Sequence, residues 1–124
     1  MSAYRLPNAP GKYGNRRSES SDGRVFASKK ERDRYNQLLL LEKAHWPDNI
    51  RNLRCQVPFR LIVNGHFVCK YLADFTYEEA NPTYPPGGDM WKSIVEDAKG
   101  ARTREYLIKR KLMKAVHGID VRET

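Results

Sequence analysis

A chain of 124 residues has the length of one small domain and can bury a single modest core. With 31% charged residues and a mean hydropathy of −0.77 its surface is polar, and no apolar run approaches the ~18 residues of a transmembrane helix. The net charge of +8, carried by clustered Lys and Arg, favours a polyanionic partner, nucleic acid above all.

Residues 1–22 are rich in Pro, Gly, Asn, Ser and Arg and lack periodicity, so they read as a flexible arm ahead of a domain over 23–124. Arg5, Lys12, Arg16 and Arg17 make the arm basic enough to touch phosphates. "FASKKERDRYNQLLLLEKAHW" predicts a helix. Ser28 is its N-cap, and Glu31 completes an S-x-x-E capping box. Ala27, Tyr35, Leu38 and Leu41 form its apolar side, and Pro47 ends it.

Asn64-Gly65 predicts a hairpin with strands over about 55–63 and 66–77. Pro58 marks the first of these as an edge or bulged strand. "EEANPTYPPGGD" is a loop, and "MWKSIVEDAK" is a third strand ending at Gly100. Thr103 caps a second helix, "REYLIKRKLMKAV", which Gly118 closes. "IDVR" alternates like a short last strand. The order is α-β-β-β-α-β, which predicts an α/β, mixed α+β domain with helices packed on a central mixed sheet.

Side chains alternate along a strand. In the third strand Asp97 and Lys99 share a face with Val95, while Glu96 points away with Ile94. In the second strand Asp74 lies on the face of Val68 and Leu72, the lone acid of "YLADFTY". Taken alone, Asp74 reads equally well as a satisfied polar residue near a strand end. Two aspartates on adjacent strands repel unless a cation sits between them. Mg²⁺ takes one or two carboxylates and fills its shell with water and phosphate oxygens. A lysine beside that pair could neutralise charge developing on a phosphate. In a basic protein this set points to phosphodiester hydrolysis.

Glu31 admits two roles, a capping-box acid or a third acid at the metal, since it lies near the centre of the apolar stripe. Lys109 falls within the core stripe of Tyr106, Leu112, Met113 and Val116, where it either snorkels or reaches the phosphate site. Lys29, Lys30, Arg102 and Arg104 are candidates to track a phosphate backbone. Cys55, Cys69 and three isolated histidines show no zinc-ligand spacing. An N-terminus without a signal-peptide core and two unpaired thiols predict a cytoplasmic protein.

The set Glu31, Asp74 and Asp97-Ala98-Lys99, in this element order, resembles the PD-(D/E)XK nuclease superfamily. "GRVFASKKERDRYNQL", "NLRCQVPF", "YLADFTY" and "VEDAKGARTREYLIKRKL" are similar to a small phage family long regarded as a domain of unknown function. The resemblance covers about residues 23–122. It implies a restriction-endonuclease-like core in which Asp74 and Asp97 bind Mg²⁺, with Mn²⁺ able to substitute. It also implies Lys99 as the motif lysine, Glu31 as the acid of the first helix, and Ala98 lending only its backbone carbonyl. Ala73 departs from the proline that many members carry before the first aspartate. The implied activity is a Mg²⁺-dependent endodeoxyribonuclease. Branched or junction DNA is a candidate substrate, and a homodimer is expected where two strands are cut symmetrically. The alternative is a nucleic-acid-binding module on a nuclease fold that does not cleave. A basic structural protein of a virion or ribosome would explain the charge but not the strand aspartates.

Overall fold

The computed structural model describes residues 17–84, 86–98 and 102–124. The chain divides into two compact units, with the boundary between Leu40 and Leu41. In the first unit, β1 (Ser18–Glu19) and β2 (Val25–Phe26) pair antiparallel, Ser18 opposite Phe26. The segment expected as the end of a flexible arm is therefore paired from Ser18 onward. The turn explains why. Gly23 adopts φ +88°, which L side chains rarely take, and its N–H donates to the Ser20 carbonyl at 3.1 Å. The Arg24 N–H bonds Ser20 Oγ at 3.0 Å.

Helix α1 (Lys29–Glu42) starts as its sequence predicts: Ser28 Oγ accepts the Glu31 N–H at 3.2 Å. The small hairpin is tied to this helix. Tyr35 Oη donates to Asp22 Oδ2 at 2.7 Å, the Ser21 N–H donates to Asn36 Oδ1 at 2.9 Å, and the Phe26 and Tyr35 rings lie 4.9 Å apart. Phe26 is buried and Ala27 exposed, so the apolar side begins one residue before the expected Ala27. The helix also ends earlier than expected. The Ala44 N–H folds back to the Leu41 carbonyl at 3.2 Å, closing the chain a turn ahead of Pro47. A proline disfavours helical geometry in the residue before it, so the chain must leave the helix upstream.

The second unit holds a mixed four-stranded sheet of order β3-β4-β5-β6. Strands β3 (Ile50–Val63) and β4 (His66–Ala80) form the hairpin around Asn64-Gly65, and both run longer than expected. Among the described residues strand β3 pairs with β4 alone, an edge position of the kind that tolerates Pro58. Strand β5 (Trp91–Asp97) pairs antiparallel with β4, and the short β6 (Arg122–Glu123) lies parallel to β5.

A parallel neighbour needs a crossover, and helix α2 (Arg104–His117) supplies it. Thr103 Oγ1 accepts the Tyr106 N–H at 3.1 Å, and Gly118 closes the helix at φ +70° with its N–H on the Lys114 carbonyl at 3.0 Å. Tyr106 and Met113 of α2 are buried against Leu61, Tyr71, Ala73, Val95 and Val121, with Leu112 and Val116 packed around them. The mixed α+β class and the α-β-β-β-α-β order hold, with the small β1–β2 sheet as an addition. Among the described residues no helix is long and apolar enough to cross a membrane.

Candidate active site

The antiparallel register that sets Phe75 opposite Glu96 brings Asp74 beside Asp97 at the next step. The two carboxylates interlock with the backbone. The Asp74 N–H donates to Asp97 Oδ1 at 3.2 Å, and the Ala98 N–H donates to Asp74 Oδ2 at 3.0 Å. Gln56 Nε2 approaches Asp74 Oδ1 at 3.4 Å from the other side. Asp97 is fully buried and Asp74 half-buried. Each anion thus takes a backbone donor from the opposite strand, which fixes its orientation and offsets its desolvation.

The β3–β4 register runs unbroken past Asp74, but the backbone opposite it is irregular at Gln56. Tyr71 and Ala73 join the α2 core with Val95, whereas Tyr77 Oη reaches the carboxylate of Glu96, the next residue of β5. Across Asp74, therefore, β4 turns its buried side chains from one face of β5 to the other. Gln56 carries φ +54°, a conformation that strains a non-glycine residue by roughly 1–3 kcal/mol. Such strain collects at functional sites. A second irregularity lies nearer the turn. Leu61 opposes Cys69 but Ile62 opposes Phe67, so Val68 is an extra residue and alternation counted from it fails.

Glu96 separates from Asp97 as the alternation predicts, but not toward solvent. Residues Ile94 to Ala98 are all buried. Glu96 is fully enclosed and accepts hydrogen bonds from Tyr77 Oη and, at 2.9 Å, from Thr124 Oγ1. Arg122 reaches Tyr77 Oη at 3.3 Å and forks onto Glu79 with two bonds of 2.9 Å. Burial, then the Glu96 carboxylate, push the Tyr77 hydroxyl up to about 12. Below that the phenol stays a donor. The Thr124 N–H also bonds the Asp97 carbonyl at 3.0 Å, so the residue that follows β6 holds both acids of β5. This network escaped the sequence reading. Its one signal was Ile94, an apolar residue on the same face as Glu96.

The remaining candidates divide by place. Lys99 and Arg16 lie outside the described residues. Glu31, Arg17, Lys29 and Lys30 belong to the first unit, where Glu31 is half-buried beside its cap and Lys29 and Lys30 are exposed. Arg102 is engaged with Glu123 through Nε at 3.1 Å and 3.2 Å as well as Nη2, and Glu123 also takes Tyr106 Oη at 2.7 Å and Arg110 at 3.2 Å. The Arg102 bond, then that of Tyr106, hold the Glu123 carboxyl below its usual range. Arg102 is thus a tether between the start of α2 and β6, a role its place in a basic run does not reveal. Arg104 is exposed, and Lys109 is half-buried with Glu105 at 3.9 Å.

Among the described residues no three His, Cys, Asp or Glu side chains converge into a metal cage. The aspartate pair itself fits Mg²⁺, which takes one or two carboxylates and completes its shell with water and phosphate oxygens. Fold and site together define a mixed α+β protein with two backbone-anchored aspartates at the end of a central strand pair. The chain belongs to the family described as "Protein of unknown function (DUF1064)", matched over residues 11–124. No curated protein and no solved structure matches it.

Proposed function

We propose that the chain is a Mg²⁺-dependent endodeoxyribonuclease of the PD-(D/E)XK kind. The observation that carries the reading is the aspartate pair. Asp74 and Asp97 come from adjacent strands, each oriented by a backbone N–H of the other strand. The order of elements around them matches the core that the resemblance implies. The net charge of +8 suits a polyanionic substrate.

In this reading Asp74 and Asp97 hold the cation, with the Ala98 carbonyl as a further candidate ligand. When bound, Mg²⁺ would supply Lewis-acid activation of the scissile phosphate and of the attacking water. Water adds to phosphorus, one bridging P–O bond breaks, and the leaving oxygen ends protonated. Lys99, two residues past Asp97, would offset the charge that builds on the phosphate. The Asp74 and Ala98 N–H groups keep the carboxylates aimed, so little reorganisation is needed when substrate arrives. Branched or junction DNA is the proposed substrate class, and a homodimer the proposed form.

The test is incubation with supercoiled plasmid and a four-way junction in Mg²⁺ and in Mn²⁺, beside Asp97→Asn and Asp74→Asn. Each substitution is expected to lower cleavage at least a hundredfold while leaving the circular dichroism spectrum unchanged. Wild-type cleavage no greater than that of Asp97→Asn sinks the enzyme reading, and DNA binding that persists leaves a non-cleaving module.

A further inference from the structure

The hairpin β3–β4 presents a face that nothing in the second unit's core uses. Its inner face carries Phe59, Leu61, Tyr71 and Ala73, all packed into the cluster under α2. On its outer face Pro58 opposes Leu72, Arg60 opposes Lys70, and Ile62 opposes Phe67. All six are exposed. Phe67 is 54% exposed and Leu72 48%, unusual for large apolar side chains grouped on one surface. The extra residue Val68 has a consequence here: without it Phe67 would turn to the opposite face. As it is, the Arg60 guanidinium lies 5.0 Å from the centre of the Phe67 ring.

The charge of this surface has one sign. From Asn49 to Ala73 the chain has Arg51, Arg54, Arg60 and Lys70 but no Asp or Glu. Arg51 is paired with Glu78, whereas among the described residues Arg54, Arg60 and Lys70 form no ion pair. A second copy of the chain fits poorly. A two-fold contact on this face would bring Arg60 and Lys70 toward their own counterparts, and like charges meeting at an interface are costly. A polyanion that carries flat apolar rings suits it better. Basic side chains follow its phosphates while exposed aromatics stack its bases.

We infer that the outer face of the β3–β4 hairpin is a docking surface for an unpaired, single-stranded stretch of DNA. Phe67, with Arg60 beside it, is the stacking platform, and Lys70 is a phosphate contact. This rests on the nuclease reading for its choice of polyanion and adds where the substrate is held. Phe67 precedes Asp74 by seven residues of the same strand. At about 3.3 Å per residue that is roughly 20 Å, or about six nucleotides at duplex spacing. The docked stretch therefore lies several nucleotides from the bond that is cut. An unpaired segment at that offset distinguishes branched or flapped DNA from a plain duplex.

The test is fluorescence anisotropy of the full chain with labelled single-stranded, flapped and duplex oligonucleotides. Ca²⁺ replaces Mg²⁺ to suppress turnover, and 2-aminopurine in the unpaired stretch reports stacking. Phe67→Ala is expected to weaken binding of single-stranded and flapped DNA about tenfold and to abolish the 2-aminopurine quench, with duplex affinity nearly unchanged. The double variant Arg60→Ala, Lys70→Ala should reduce the slope of log affinity against log salt by about 1–2. All three positions are exposed, so the variants should keep the wild-type spectrum and melting temperature. Wild-type affinity and quench in both variants overturn the inference. So does sedimentation showing a wild-type dimer that Phe67→Ala splits, because the face then belongs to a second copy. Cleavage by wild type against Asp97→Asn is read separately. The nuclease reading can fail there while the docking surface stands, and the reverse.

Discussion

Two neighbouring acids, Glu96 and Asp97, face different chemistry although one peptide bond separates them. Asp97 meets Asp74 and a backbone N–H; Glu96 meets two hydroxyls in a closed space. Glu96→Gln is therefore expected to keep most Mg²⁺-dependent cleavage, far more than Asp97→Asn. Glu96→Ala should lower unfolding free energy by about 3 kcal/mol, since it leaves a void and strands the hydroxyls of Tyr77 and Thr124. Urea titration of both variants checks this, and a Glu96→Ala protein as stable as wild type contradicts it. Tyr77 carries a pH dependence whose sign follows from its burial. Its hydroxyl is raised from 10.0 to about 12 in the folded state. The neutral phenol thus contributes stability that is complete below pH ~10 and lost as pH rises through the folded value. Urea midpoints should fall more steeply from pH 10 to 12 in wild type than in Tyr77→Phe. Parallel profiles would show that the phenol does not titrate with folding. The choice of Asp97 over Glu96 was legible from alternation alone. The hydroxyl partners of Glu96 were not, because Tyr77 and Thr124 lie 19 and 28 residues away and no local pattern links them.

At the level of elements, strong local chemistry was read well and long-range pairing was not. Asn64-Gly65, the Ser28 and Thr103 caps and the Gly118 stop each act within four residues, and each stands where its sequence puts it. The extra Val68 and the hydroxyl partners of Glu96 depend on what the chain meets elsewhere. For α2 the two ends are separable. Thr103→Ala removes the acceptor for the Tyr106 N–H and is expected to cost about 1 kcal/mol. At Gly118 an added Cβ would meet nothing within 4 Å, so Gly118→Ala tests backbone conformation alone and should also cost about 1 kcal/mol. Thermal melts of both should fall by a few degrees. A neutral Gly118→Ala would mean that the left-handed stop is not needed. Because α2 carries Tyr106 and ends beside β6, either loss should also loosen the Arg102–Glu123 tether, seen as faster amide exchange at Glu123.

Across the whole molecule, short and long connections are unevenly shared. Strands β3 and β4 meet through a two-residue turn, and β5 joins β4 antiparallel; β6 reaches β5 only after α2 has crossed over. Contacts close in sequence form early, because little chain entropy is lost in closing them. The hairpin should therefore assemble first and β6 last. Asp97 is held at its carbonyl by Thr124 and Glu96 at its carboxylate by the same residue, so this last clamp on β5 closes only in the final step. During refolding the chain would pass through a form with its hairpin built and the Thr124 clamp on β5 not yet set. Pulse-labelled hydrogen exchange should find the β3–β4 amides protected before that of Thr124, and simultaneous protection would exclude this order. In the proposed nuclease, a site whose last clamp closes only when the final strand docks would keep an incomplete chain harmless to nucleic acid.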